Sequence, residues 1–431
     1  MQRTKLRIPP ALNHRGFRLL WGGLFISQVG SQMQHWALFW HVSLLSRDPI
    51  AVSIIGGVRF AAVLCFSMIG GLTADRYNRR TIMIITQSIA MSIAVALGVL
   101  TWLDRIEVWH IYLLSGLQAA AMAFDLPARQ SLVPNLVPRD DLPSAFSLQS
   151  IAFNTGAIVG PALSGIIIAY LAQAHVYFIN AASFLAVIIA LAVLGAVPQR
   201  VGRSAARGLR GAALDMRDGV RFIRSQPLIL SSMILDFFAT LFAAANTLLP
   251  YFARFILHVN EVGYGWLAAA QSMGAVTVGL VLSQTSSIRR QGRLLLGAVL
   301  VFGAATTVFG LGRQYSLVFA ALILAGAADS VSTIIRNTIR QLQTPDALRG
   351  RMTGINQIFF MGGPQLGEVE AGAVAQAFGV PAAIITGGLG TMLFVVLVAL
   401  RWPMLVRYDR EEPVAVSPPV VLASASDGAM R

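Results

Sequence analysis

Long apolar runs alternate with short polar breaks along this chain. Twelve runs stand out, near 18–43, 50–73, 81–103, 109–128, 145–170, 176–197, 228–252, 264–283, 294–312, 315–335, 353–377 and 381–403. A bilayer core roughly 30 Å thick is crossed by about 20 helical residues. Lipid offers no partner to an unpaired backbone group, and a helix satisfies its own. The pattern therefore predicts an all-α membrane protein with twelve transmembrane helices. The polar segments divide it further: a basic segment over 1–16, six spans over 17–197, a connection over 198–227, six spans over 228–403, and a tail over 404–431. The first run is too long for a signal-peptide core and no small-residue cleavage site closes it, so it reads as a retained helix. The connection mixes arginines with Leu209, Leu214, Val220, Phe222 and Ile223, which predicts a short amphipathic helix at the membrane surface. The tail is rich in Pro, Ser and Ala and reads as disordered.

Composition narrows the class. The 431 residues are 56% hydrophobic and 12% charged, against about 25% charged in a soluble domain. The net charge of +14 would suit a nucleic-acid partner, but its placement argues otherwise. Of 33 lysines and arginines, all but Arg47, Arg59, Arg105, Arg254 and Arg313 fall on the side of the two termini. The positive-inside rule puts that side in the cytoplasm. The expected setting is the cell (inner) membrane, with lipid and no nucleic acid as partner. Cys65 lies inside an apolar run and reads as a core residue.

Several polar residues interrupt the runs. Gln28, Gln32 and His35 stand at i, i+4 and i+7 and share one face of span 1. They read as a stripe lining a cavity, with helix-to-helix hydrogen bonding as the bland alternative. His35 taken alone reads as a satisfied histidine. Asn246 in span 7 is a further cavity candidate. Arg59 lies about 14 Å inside span 2 and needs an acidic partner unless it snorkels to the interface. Asp236 in span 7 and Asp329 in span 10 are candidates to exchange a proton, because an ionised carboxylate is costly there; Asp236 ranks ahead as a cavity acid. Glu368 and Glu370 are the acids of span 11. Gly156, Gly160 and Gly165 form a groove on span 5, where Pro161 breaks the backbone ladder. Between spans 2 and 3, Gly70 and Gly71 permit close packing. Asp75 and Arg79, four apart, are expected to pair on one helical face.

The halves repeat. An offset of 207 carries Arg129 onto Arg336, and Gly156, Gly160 and Gly165 onto Gly363, Gly367 and Gly372. Pro161 falls on Glu368, and Asp75 falls at about Ser283. Two similar six-helix bundles about a pseudo-twofold axis follow.

With the hairpin Gly70–Arg80 the chain resembles the major facilitator superfamily, whose loop between helices 2 and 3 reads G-x-L-x-D-R-x-x-R-R. Gly71 (or Gly70), Leu72, Asp75, Arg76, Arg79 and Arg80 match it. The resemblance covers residues 15 to about 403 and implies the major facilitator fold. It implies a cytoplasmic charge cluster of Asp75, Arg79 and Asp125, and an antiporter motif on span 5 that departs at Ser164. It also implies that Asp75 approaches the amino end of span 11 when the outer mouth is open. Gln341–Arg351 resembles the segment before span 11 in the branch of enterobactin exporters and macrolide efflux proteins. In the superfamily spans 2 and 11 face each other. Matching heights from Asp75 sets Arg59 level with Glu368–Glu370, and Glu368, which follows Gly367, is the expected ion-pair partner. The implied function is secondary-active, proton-coupled export of a small amphiphilic molecule (siderophore, drug or metabolite) by alternating access, by a monomer. A metabolite importer of the same fold and a membrane enzyme are the alternatives. The sequence holds no H-E-x-x-H, phosphate loop or spaced His/Cys set, so no enzyme activity, cofactor or metal is expected.

Overall fold

The computed structural model describes residues 9–195, 197, 217, 219–284, 289–345 and 348–409, with the backbone alone at 349–351, 353, 354, 357, 358, 360 and 361. The described residues form helices and no strand. The first half holds α1 (Arg15–Leu45), α2 (Pro49–Arg76), α3 (Arg79–Trp102), α4 (Val108–Leu132), α5 (Leu142–Leu171) and α6 (Gln173–Leu194). The second holds α7 (219–225), α8 (Pro227–Phe242), α9 (Leu249–Phe255), α10 (Glu261–Ser283), α11 (Gln291–Leu311), α12 (Tyr315–Gln343), α13 (Arg349–Phe378), α14 (Val380–Arg401) and α15 (Pro403–Arg407). Ten helical segments among the described residues are long and apolar enough to cross a membrane. The two other long helices, α1 and α13, have 31 and 30 residues and pack among those ten. Both carry polar side chains along their length.

Helix ends follow local chemistry. Asn78 accepts hydrogen bonds from the Arg80 and Thr81 amides and so starts α3, while α2 stops at Arg76. This cap corrects the expected pairing of Asp75 with Arg79: a helix break separates them, and they do not share a face. Proline opens α2, α8 and α9 in their first turns, where a missing N–H costs nothing. Span 7 is also corrected. It is not one helix; α8 ends at Phe242, a 3-10 turn covers Ala245–Leu248, and α9 resumes at Leu249.

The repeat is visible in the backbone. Shifted by 207, both ends of α5 fall on the ends of α13 and both ends of α6 on those of α14. The same shift carries the last residue of α2 onto that of α10, and the first of α4 onto that of α12. The halves meet along two junctions, α2 against α13 and α5 against α10. The offset interchanges these junctions, as a twofold axis requires. Gly372 packs on Ile50 and Ser53, and its counterpart Gly165 packs on the backbone of Glu261 and Gly265.

Two boundaries differ from expectation. Ile223 of α7 is buried with Ile229, Met233, Met352 and Ile355, so this end of the connection packs into the second half; 198–216 and 218 lie outside the described residues. The first residues of the expected tail form α15, with Leu405 fully buried and the Gly292 amide donating to the Tyr408 carbonyl at 3.0 Å. Here the chain closes over the start of α11 rather than leaving it, and 410–431 lie outside the described residues.

Candidate functional site

The junctions lie at one end of the bundle, where α1 finishes and α2 begins. Trp40 of α1 is buried in the core of the second half, its ring 4.8 Å from that of Tyr264. The Tyr264 hydroxyl donates to the Trp36 carbonyl at 3.0 Å, and the Tyr251 hydroxyl reaches the carbonyls of Ser46 and Asp48 at 3.0 and 2.7 Å. Arg254 donates to the Ser43 carbonyl and lies over the Trp40 ring. These donors reach carbonyls of α1 and of the turn into α2 from across the interface; those of Ser43 and Ser46 belong to the end of α1, where a helix leaves carbonyls without partners. The halves are thus latched at this closed end.

The glycine groove of α5 has two uses. A Cβ at Gly156 would meet Gln28, and one at Gly160 would meet Gln32 and Met33. Those two glycines seat α1, whereas Gly165, one turn beyond Pro161, seats α10 of the other half. Gln28 also lines a cavity of about 150 Å³ with Arg129, Gln130 and Gln149. His35, on the same stripe, turns instead to α2: Arg59 Nη1 lies 2.6 Å from His35 Nδ1. A guanidinium has no acceptor, so Nδ1 must accept and the imidazole is neutral in this arrangement. Glu368 does not form the expected ion pair within 4 Å; its carboxylate lies against Gly56, one turn from Arg59. The reason is rotation about α2: Arg59 points to α1, and the glycine face points to α13. Glu370 is half-buried nearby on α13.

The hairpin also departs from expectation. Gly70 is the packing glycine, seated on the Ala123–Phe124 backbone of α4, and nothing lies within 4 Å of a Cβ at Gly71. Arg79 donates to the carbonyls of Ala74 and Ser131 at 3.4 and 3.0 Å, and Arg80 to that of Leu191 at 2.6 Å. The two arginines thereby cap the carbonyl ends of α2, α4 and α6, where the helix dipole favours cations. Arg76 is exposed. Asp125 is fully buried; it accepts from Thr86 and Gln87 at 2.9 and 3.0 Å and lies 4.0 Å from Arg129. Asp75, half-buried at the end of α2, makes no hydrogen bond or ion pair among the described residues. The expected cluster of Asp75, Arg79 and Asp125 is therefore not assembled among the described residues, where Arg79 reaches the ends of α2 and α4.

In the second half, Arg336 of α12 is 2% exposed and bridges Asp236 of α8 at 2.9 Å and Asp329 at 3.7 Å. Arg340 lies 4.0 Å from Asp236. This corrects two expectations. Arg336 is a buried residue inside α12 rather than one beyond the end of span 10 near 335, and Asp236 is enclosed between two guanidiniums rather than facing a cavity. Asp329 is the acid with open space beside it, its side chain 44% exposed. It lines a cavity of about 260 Å³ together with Asn246 and Gln271, whose amides are 3.0 Å apart. A second cavity of about 570 Å³, lined by Arg340, Asn337 and Asn356, lies toward the termini. The sequence reading also missed Gln34, which joins Gln118 of α4 and Asn180 of α6 at 2.8 and 2.7 Å. Its position one residue off the Gln28–His35 stripe hid it.

Two repeated helical halves, latched at one end and hollow toward the other, define a transporter of the major facilitator superfamily. The chain belongs to the family described as transmembrane secretion effector, whose profile matches residues 9–424. It is a multi-pass membrane protein. It is 25% identical over 407 residues to an enterobactin exporter, EntS, of Citrobacter koseri, covering 94% of this chain and 96% of that one. Against EntS of Escherichia coli (strain SE11) the identity is 25% over 417 residues, with 96% of each covered. Among solved structures it is similar to a bacterial homologue of the lysosomal transporter Spinster in an inward-facing, unoccupied conformation, with TM-score 0.71, 14% identity and coverage of 93% and 98%. It is also similar to the nucleoside transporter NupG, with TM-score 0.67, 15% identity and coverage of 91% and 99%. At these identities the likeness is one of fold.

Proposed function

We propose that this transporter exports a small amphiphilic molecule from the cytoplasm across the inner membrane, driven by proton entry. Both termini are then cytoplasmic and the latched end is the outer one. The observation that carries the reading is the concentration of ionisable groups at the latch between halves. Glu368 is pressed on Gly56, and Arg59, one turn away, is held by a neutral His35. Lipid penalises a charge left alone at this depth. Proton delivery to Glu368 or to His35 changes the charge at the latch, and the latch is what opens for release outward. The basic side of the chain supports the orientation, and the relatives named enterobactin exporters support the direction and the substrate class.

The test uses the purified full chain in proteoliposomes with enterobactin as probe. An imposed pH gradient should accumulate the probe on the acidic side, as antiport with protons requires. A protonophore should abolish the accumulation, and Glu368→Gln should reduce it at least tenfold with insertion unchanged. Accumulation on the alkaline side would indicate uptake together with protons, and equilibration indifferent to the gradient would remove the coupling.

A further inference from the structure

The 260 Å³ cavity of the second half has no counterpart in the composition of the first. Its polar lining comes from Thr240, Asn246, Gln271, Ser272 and Asp329, with Phe302 as an aromatic wall. The offset that superposes the ends of α2 on α10 and α4 on α12 carries these five onto Met33, Phe39, Leu64, Cys65 and Met122. One half folds with four apolar residues and a cysteine at these places, so the fold does not require the polar set. The backbone differs in the same place. α1 is continuous through residues 36–41, whereas the matching segment of the second half is the break between α8 and α9. Ala243, Ala244 and Asn246 of that break line the cavity. Irregular backbone at membrane depth is tolerated where it lines a cavity, and broken helices mark binding sites in transporters.

The lining also defines a chemistry. Asp329 presents its carboxylate to the cavity; the nearest guanidinium, Arg336, is 3.7 Å away and closer to Asp236, at 2.9 Å. The Thr240 hydroxyl donates to the Asp236 carbonyl at 2.8 Å, leaving its oxygen free to accept. Asn246 donates to Gln271, leaving its own carbonyl oxygen as an acceptor. No arginine, lysine or histidine lines the cavity among the described residues. A cavity rich in acceptors, with one carboxylate and an aromatic wall, suits a donor-rich cation.

We infer that this cavity is a substrate subsite for an ammonium group borne on an apolar or aromatic body, with Asp329 as its counter-ion. The inference rests on the transport reading and names the class of its substrate. Its volume of about 260 Å³ lies just below the range of ligand pockets, about 300–1,000 Å³, so it takes the amine end of a larger amphiphile or a small amine whole.

The experiment is equilibrium calorimetry on the purified full chain with three indoles of similar size: tryptamine (cationic), 3-ethylindole (neutral) and indole-3-acetate (anionic). Tryptamine should bind at least tenfold more tightly than indole-3-acetate, with 3-ethylindole between. Asp329→Asn should weaken tryptamine at least tenfold and erase the preference for the cation. Gln271→Leu, which installs the residue of the first half, should weaken it several-fold, while Leu64→Gln should change nothing. Absence of tryptamine binding, equal or tighter binding of indole-3-acetate, or an Asp329→Asn affinity within twofold of wild type would overturn the subsite. Should Asp329→Asn not fold, the wild-type charge series and Gln271→Leu decide. No gradient is present, so proton coupling can fail while the subsite stands, and enterobactin transport can succeed while it falls.

Discussion

Asp236 and Asp329 show how the surroundings of a residue assign its role. Both are acids at membrane depth, and one arginine contacts both. Asp236 is 4% exposed, with Arg336 and Arg340 on either oxygen, so its charge offsets part of the charge of two cations that have little access to water. Removing one partner of such a set leaves uncompensated charge in a poorly solvated place, at a cost of about 3–5 kcal/mol. Asp236→Asn should therefore be a folding variant. Its thermal midpoint and detergent-solubilised yield should fall steeply, and the fraction that folds should transport normally per molecule. Wild-type stability with abolished transport would instead make Asp236 part of the coupling machinery.

At the scale of elements, the three glycines of α5 do separate work. Gly156 and Gly160 seat α1 of their own half, and Gly165 seats α10 of the other. A side chain at Gly165 would meet backbone of Glu261 and Gly265, which cannot rotate away. Gly165→Leu should leave the first half intact, since the contacts it breaks are between halves, but hold the latched end apart. Transport should drop at least tenfold with thermal stability little changed. Gly160→Leu collides with Gln32 and Met33 inside one bundle and should reduce stability first, by the 1–3 kcal/mol typical of overpacking. Measuring melting and transport on both variants separates the roles. Equal effects of the two substitutions would contradict this division of the helix.

At the scale of the molecule, the spans were legible because lipid forces long apolar helices, and the repeat because its glycines and Arg129 recur at one offset. Less legible was whatever depends on rotation about a helix or on weak breakers. The break in span 7 lies in Ala243–Leu248, where only Pro250 beyond it hints at a new start. Arg336 looked like a charge beyond the span because it follows an apolar run that ends about two turns before the helix does. Depth counting set Glu368 and Arg59 within a turn of each other, but it could not tell that Arg59 faces His35. The Asp75–Arg79 spacing looked helical until Asn78 was seen to cap the next helix. What the assembled molecule adds is the twofold relation between its two junctions, which close one end and leave the cavities toward the other. The most direct test of that account is a pair of spin-label distances on a Cys65→Ser background. One pair, Arg47→Cys with Arg313→Cys, spans the halves at the latched end; the other, Asp140→Cys with Arg289→Cys, spans them at the end of the termini. All four positions are exposed. Acidification should lengthen the first distance while shortening the second, in matched populations. Two distances that stay fixed, or that move in the same direction, would contradict alternating access through this latch.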